Sequence, residues 1–388
     1  MDKIRVAMVL YTQGLQYDDR IRKEILSIQK INPHISFEIY AIIPENVEQH
    51  GVTDYGVPFH ILCLKSREKY GSSSNLFYKA YDFYKTVEPQ IKDFDVVWCA
   101  DIETTLFPLL LKRNRPIIWD LHEIPKPFLR NWLLKRFFNY LEHKCSLLYH
   151  ANQPRIDYLL SEGVLKKRDK NIAIRNYPEA DLCSISVEPD EMFHKFCNWL
   201  QDAECVYIQG ITGPDRRAVE SVSSVMEASP DLRAVVVGNY TQETLTQLQD
   251  KYGEETLNKR IFFTGKVPQK LTKLYIGKCK IGLVFYRTNS VNNTLCEPNR
   301  LFQTLMMGLP VVVGCNPPMS SLVKEYNFGI ALDNDGCDID SIVGAIHTIF
   351  DRYDYFVGNI RKYRDQLTWE SQEQLLSDTF IKAIELKQ

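Results

Sequence analysis

Residues 297–314 read Glu297-Pro-Asn-Arg-Leu-Phe-Gln-Thr-Leu-Met-Met-Gly-Leu-Pro-Val-Val-Val-Gly314. Proline suits the first turn of a helix and glycine the position just past its end, so Pro298 and Gly308 bracket a short helix. The apolar, β-branched run from Pro310 to Gly314 then reads as a strand. The start of that helix points out of the sheet, and its free N–H groups and positive dipole end favour phosphate. Arg300 adds a cation in the first turn. Gln303 lies three residues further on the same face, where its amide can bond a ribose hydroxyl.

The same alternation of short apolar runs and helical patterns extends in both directions. Upstream in the same half, strands are predicted at Cys205–Gln209, Leu232–Val237 (ending in Gly238), Ile261–Thr264 and Ile281–Phe285. Helices are predicted at Arg217–Ala228, Thr241–Tyr252 and Gln269–Lys278. An earlier series has strands at Ile4–Leu10, Phe37–Ile43, Val57–Leu62, Val96–Ala100, Pro116–Asp120, Ser146–Ala151 and Asn171–Ile174. Its helices are Arg20–Ile31, Asn75–Glu88, Phe128–Cys145 and Arg155–Glu162, the last closed by Gly163. Two β-α-β-α series predict an α/β protein of two Rossmann-like, doubly wound parallel-sheet domains that face a cleft. Such sheets bind ligands beyond the carboxyl ends of their strands. The expected division is 1–178, 200–365 and a C-terminal helix in 366–388 that crosses back to the first domain. The boundary is placed in Tyr177–Phe196, which holds Pro178, Pro189 and several acids with little periodicity.

Bulk properties narrow the class. The chain has 388 residues, 45% hydrophobic and 25% charged, with 47 basic and 49 acidic side chains. A net charge of −2 argues against a general nucleic-acid partner. The ten cysteines form no Cys-x-x-Cys pair and no zinc spacing with histidine, and several lie in apolar runs. They read as reduced thiols, which points to a cytoplasmic setting. No run of eighteen apolar residues is present to span a membrane, and the first ten residues do not read as a signal peptide. No P-loop, Gly-x-Gly-x-x-Gly or Gly-x-Ser-x-Gly pattern occurs, which removes kinase, dehydrogenase and hydrolase readings.

Pro298-Asn299-Arg300-Leu301-Phe302-Gln303, followed by Met307-Gly308-Leu309-Pro310-Val311-Val312, resembles the nucleotide-sugar signature of family-four retaining glycosyltransferases, which have GT-B architecture. In that family the run is commonly Pro-Asn-Lys-Leu-Phe-Glu, and its Glu contacts the nucleotide ribose. Gln303 stands at that position here; an amide still bonds hydroxyls but accepts less strongly than a carboxylate. The family's second acid, eight positions earlier, falls at Leu295, and Glu297 is the nearest carboxylate, two positions out of register. The segment Val206–Glu220 resembles the family's strand-Gly-loop-Arg opening of the second domain. That match marks Gly210 and makes Arg217 the phosphate contact, with Arg216 as alternate. Phe263-Thr-Gly-Lys-Val-Pro268 resembles the Gly-x-Val-Pro segment at the nucleobase, so Gly265, Lys266 and Val267 would border it; Lys266 is also an option as a second phosphate cation. Tyr17-Asp-Asp-Arg-Ile-Arg-Lys-Glu24 resembles the Asp-x-Arg-x-x-Lys-Glu start of the first helix, and Gly14 before it would line the sugar or acceptor end. Asp120-Leu-His-Glu123 resembles the Asp-x-His-Asp/Glu site, with His122 against the donor sugar and Glu123 beside it. Asn176 matches a Pro-Asn segment at the end of the first domain. The likeness covers nearly the whole chain; each motif is weak alone, and their order and spacing together are specific.

The resemblance implies transfer of a sugar from a UDP- or GDP-linked donor, with retention, to a saccharide or lipid-linked acceptor in polysaccharide or glycoconjugate synthesis. The implied catalytic set is His122, Glu123 and Glu297. Asn299, Arg300, Leu301 and Gln303 join the donor set. No tightly bound cofactor and no metal are expected, so arginine, lysine and a helix dipole would meet the leaving diphosphate. Plainer readings stand beside these: a solvated helix start for Arg216 and Arg217, a structural hydrogen-bonder for His122, and surface charge for Asp18, Asp19, Arg20 and Arg22. The basic amphipathic helix 128–145 reads either as a core helix with a solvated face or as a peripheral contact with the inner face of a membrane. Two rival functions remain: a nucleotide-sugar epimerase of the same plan, and a non-catalytic binding or scaffold homologue.

Overall fold

The computed structural model describes residues 3–15, 18–70, 76–111, 115–210 and 213–385. The chain divides into two compact units, Met1–Arg175 with Gln372–Gln388, and Asn176–Ser371.

The first unit holds strands β1 (Ile4–Tyr11), β2 (Ile35–Ile42), β3 (Gln49–Val52), β4 (Pro58–Ile61), β5 (Val96–Ala100), β6 (Ile117–Leu121), β7 (Leu147–His150) and β8 (Asn171–Ala173). Their order is β3-β4-β2-β1-β5-β6-β7-β8. Among the described residues β3 alone runs antiparallel, against β4. Strands β5 and β6 are buried along their whole length, as expected for parallel strands with helices on both faces. The strand succession reverses between β1 and β5, which places a crevice beyond the carboxyl ends of those two strands.

The helix Asp19–Ile31 buries Ile21, Ile25 and Ile28, and it also buries Arg20, Lys23 and Glu24. Those charges are therefore not surface charges. The expected helix 128–145 is interrupted. A 3-10 turn covers Lys126–Leu129, and the helix proper begins at Trp132 because the Asn131 side chain caps it, accepting from the Leu134 N–H at 3.0 Å. Asn75 and Tyr17 lie outside the described residues.

The helix Glu370–Glu385 completes the first unit's core. Phe380 stacks on Trp98 with centroids 5.7 Å apart, and the Tyr149 hydroxyl donates to the Leu376 carbonyl at 3.1 Å. Gln372 exchanges two hydrogen bonds with the backbone of Arg175. Asn32 donates to Ser377 at 2.8 Å, and Lys30 pairs with Glu373 at 2.8 Å.

The second unit holds β9 (Cys205–Gln209), β10 (Arg233–Val237), β11 (Ile261–Gly265), β12 (Ile281–Val284), β13 (Val311–Val313) and β14 (Gly329–Ala331). All its paired strands run parallel, in the order β11-β10-β9-β12-β13-β14. Numbered from β9, this is the 3-2-1-4-5-6 arrangement of dinucleotide-binding sheets, with its reversal between β9 and β12. The stretch before β9 contains a helix, Glu191–Leu200, that buries Phe193, Phe196 and Leu200.

The helix predicted from Pro298 and Gly308 spans Asn299–Met306, and Gly308 follows it at φ +86°. Leu301, Phe302 and Leu305 are fully buried on its inner face, worth about 1.5–3 kcal/mol each relative to exposure. The helix sits close to β12 because Gly282 has no side chain: a Cβ there would lie 2.6 Å from the Thr304 Cγ2.

Candidate functional site

In the second unit, three neighbouring strands end in glycine: Gly210 after β9, Gly238 after β10 and Gly265 at the end of β11. Backbone bonds tie them together, Gly210 N–H to Val237 O and Gly238 N–H to Gly265 O, each 2.9 Å. Gly238 has φ +121°, and a Cβ on it would fall 2.3 Å from the Gly210 carbonyl oxygen. The position admits only glycine, and this edge of the sheet is bare backbone. Ile211 and Thr212, between Gly210 and Gly213, lie outside the described residues.

Arg300 occupies the strand reversal. Its guanidinium donates to the carbonyl of Gln209 at the end of β9 and to that of Phe285 just past β12, the latter at 2.9 Å. Burial pushes its pKa down to about 10. Arg300, expected as a fixed cation in the first turn of the helix, thus also ties the two strand ends together. The Tyr286 ring carries two guanidinium groups, Arg216 at 3.5 Å and Arg300 at 4.8 Å from its centroid.

Arg217 and Arg216, expected as the phosphate contact and its alternate, lie on one turn. Arg217 is held by Glu220 at 3.0 Å and Asp335 at 2.6 Å. Asp335 is itself fixed by the Thr288 N–H at 3.0 Å. Arg217 adopts φ +52°, a conformation that carries strain in a non-glycine residue. Arg216, half-buried in the same turn, lays its guanidinium on the Tyr286 ring.

Gln303 is 6% exposed, and its Oε1 has no hydrogen-bond partner among the described residues. An unsatisfied buried acceptor costs about 1–3 kcal/mol, so this group is one that a ligand hydroxyl would satisfy. Asn299 is half-buried at the helix start, with Glu297 just ahead of it. The Leu301 side chain is in the core and its N–H donates to Pro298 O at 2.9 Å. At the end of β11, Lys266 is exposed and Val267 packs partly into the core.

The first unit carries a charged cluster at its own strand reversal. His122, just beyond β6, has Nδ1 3.1 Å from Asp101 and Nε2 2.8 Å from Asp120. Its N–H donates to Asp101 and its carbonyl accepts from Arg155. Burial opposes charge on the ring, but Asp101 and Asp120 outweigh it and hold the imidazole pKa well above its usual value. Asp120 takes two 3.0 Å bonds from Arg20, which also donates to Ile174 O at 2.7 Å. Glu24 lies 2.9 Å from the same guanidinium. Asp101 has φ +59°, a second strained non-glycine residue at a strand end. Gly14 closes a small turn on Thr12, its N–H 3.3 Å from the hydroxyl oxygen, and Glu123 is exposed.

The candidate residues thus fall into two groups, one in each unit: Gly14, His122 and Glu123 in the first, the remainder in the second. Sequence reading missed Asp101, Tyr286, Asp335 and Gly238 as site residues. The signal for Asp101, Tyr286 and Gly238 was a place at the end of an apolar run, where a strand ends; Asp335 lies a few residues past β14 and carries no such signal. Among the described residues no group of three or more His, Cys, Asp or Glu is placed to hold a metal ion. No described helix is long and apolar enough to cross a membrane.

No family model and no curated protein matches the sequence. The fold has many solved counterparts. HepE of Anabaena, solved in complex with UDP, superposes with a TM-score of 0.73 at 13% identity, over 98% of this chain and 100% of that one. Sucrose-phosphate synthase of Thermosynechococcus elongatus gives 0.76 at 12%, over 99% and 100%. A UDP-forming trehalose-phosphate synthase of Burkholderia xenovorans gives 0.68 at 10%, over 99% of both chains. The fold is therefore the GT-B type, two parallel-sheet α/β domains.

Proposed function

We propose that this protein is a glycosyltransferase that moves a hexosyl group from a UDP- or GDP-linked donor to a saccharide or lipid-linked acceptor, with retention at the anomeric carbon. The carrying observation is the carboxyl edge of the second unit: three glycine-terminated strands, Arg216 on Tyr286, and the buried, unpartnered Gln303 Oε1 at the strand reversal. HepE, of the same fold, is also solved with UDP-glucose, which supports a nucleotide-sugar in that place.

In this reading the bare backbone lets the diphosphate approach closely, and Arg216 with the helix start at Asn299 meets the charge that develops on the leaving group. Gln303 bonds a ribose hydroxyl. Arg300 acts by holding the ends of β9 and β12 in place. In this reading His122 does not take the acceptor's proton: Asp101 and Asp120 flank its two ring nitrogens and raise the imidazole pKa, which favours the charged ring. It supplies a fixed positive charge. The reading places the work in a reducing, cytoplasmic compartment, in glycoconjugate or polysaccharide synthesis.

The test is a thermal-shift panel of UDP, GDP, ADP, CMP and their sugar conjugates. A true donor at 100 times its Kd stabilises by about 2.7 kcal/mol. Arg216→Ala is expected to keep the ligand-free melting point and weaken the selected nucleotide about ten- to a hundredfold, the loss of one charge-assisted bond. Unchanged affinity in that variant would sink the assignment. A second reading, a binding homologue without turnover, is favoured by one feature, the amide of Gln303 where the family has a carboxylate. Gln303→Glu separates the two: a rise in turnover from zero marks a lapsed enzyme, whereas activity already present in the native chain marks a variant site.

A further inference from the structure

We propose that His50 and His60 form a two-imidazole binding site for a divalent transition-metal ion of the nickel, copper or zinc kind. They sit on the antiparallel pair β3–β4 in direct register, His50 opposite His60. Their Nδ1 atoms face each other at 2.8 Å. Each outer nitrogen is taken by a carboxylate: His50 Nε2 lies 3.2 Å from Glu48 Oε1, and His60 Nε2 lies 2.7 Å from Glu38 Oε1. Glu38 is anchored in turn by the Tyr40 hydroxyl at 2.9 Å, and the Tyr40 ring stacks on His60 at 4.9 Å.

Where each carboxylate holds the proton at Nε2, each Nδ1 is left with a lone pair. Two lone pairs at hydrogen-bond distance repel unless a positive charge lies between them. A proton would do this, and so would a metal ion. The pattern of a carboxylate behind each imidazole is the one that orients histidine for metal and raises its basicity. Two tetrahedral metal–nitrogen bonds of about 2.0–2.1 Å set the nitrogens about 3.3 Å apart. The pair needs to open by only about half an ångström, and His50, with its side chain 53% exposed, is free to swing. Water would fill the remaining positions. Imidazole selects nickel, copper and zinc over magnesium and calcium. An ion held here would pin β3, an edge strand whose four residues are all exposed, onto β4. The site is independent of the nucleotide-sugar reading, and the sequence hides it because only strand register brings the two histidines together.

The experiment is calorimetric titration of the full, untagged, chelator-stripped chain with Ni²⁺ at pH 7.5. Nickel is the probe because the exposed thiols Cys183 and Cys337 would compete for zinc. The expected result is one ion per chain, no heat with Mg²⁺ or Ca²⁺, and at least a tenfold loss of affinity in His50→Ala and in His60→Ala. Glu48→Gln should weaken binding without abolishing it, and circular dichroism should be unchanged in all three. Native affinity in His50→Ala, or no nickel binding by the native chain, overturns the proposal.

Discussion

Asp120 and Glu24 are both buried against the guanidinium of Arg20, at 3.0 and 2.9 Å, and their carboxyl pKa values are pushed in opposite directions. For Asp120, burial opposes ionisation, but Arg20 and His122 hold it well below the carboxylate range. For Glu24, burial and then the charge on Asp120 push the carboxyl well above that range. Glu24 is thereby biased toward its neutral form, and Glu24→Gln is expected to shift stability by less than about 1 kcal/mol. Asp120→Asn leaves Arg20 and His122 without their counter-charge and is expected to cost about 3–5 kcal/mol. Denaturant midpoints of the two variants check both. His122 adds a pH signature. Its folded pKa lies above its unfolded one, so its pairing contributes fully below about pH 6.5 and fades as pH rises through the folded value. The stability gap between the native chain and His122→Gln should shrink between pH 6.5 and alkaline pH; a constant gap would contradict the charged pair. Little of this was legible in the sequence. Asp-Leu-His-Glu marks His122, but Arg20 and Asp120 are 100 positions apart, and no local pattern near Asp101 signals its φ of +59°.

The helix Asn299–Met306 was readable from two punctuating residues, Pro298 and Gly308. Its seating was not, since that depends on Gly282 of β12. Gly282→Ala would drive a methyl against Thr304, and overpacking of this kind costs about 1–3 kcal/mol. It would also displace the helix that carries Arg300 and Gln303, so nucleotide affinity should fall together with the melting point. The nearest atom is the Thr304 Cγ2, so Thr304→Ser in the same chain should restore much of both, which a double-mutant cycle measures. Elements were missed where local composition conflicts with tertiary placement. Strand β3 is polar and fully exposed, so it shows no alternation. The helix Glu191–Leu200 follows a proline-containing acidic stretch that masks the spacing of Phe193, Phe196 and Leu200. Helix 128–145 read as continuous because a capping asparagine, Asn131, looks like any polar residue inside a helix.

At the level of the molecule, β-α alternation was enough to predict two parallel sheets, because such strands are buried on both faces and read as continuous apolar runs. Strand order was not legible, since it is set by which connections cross from one side of a sheet to the other. The pairing of Phe380 with Trp98 and of Tyr149 with Leu376 lies equally beyond any local pattern. A chain ended after Ser371 loses those contacts and exposes Trp98, which is otherwise fully buried. Calorimetry on such a truncation should show the first unit's transition lowered or lost and the second's nearly unchanged. Removal of the Phe380 ring alone, by Phe380→Ala, should cost about 3–5 kcal/mol in the first transition.

That closing helix also imposes a timetable. A ribosome releases all seven parallel strands of the first sheet early, yet the segment that covers Trp98 and Tyr149 follows only after Asn176–Ser371 has emerged. Domains fold in the order they leave the tunnel, so the first unit must wait, half-covered, while the second one finishes. The nascent chain therefore carries an exposed aromatic face while Asn176–Ser371 is made, and the helix Glu370–Glu385 acts as the latch that ends its exposure to chaperones and proteases.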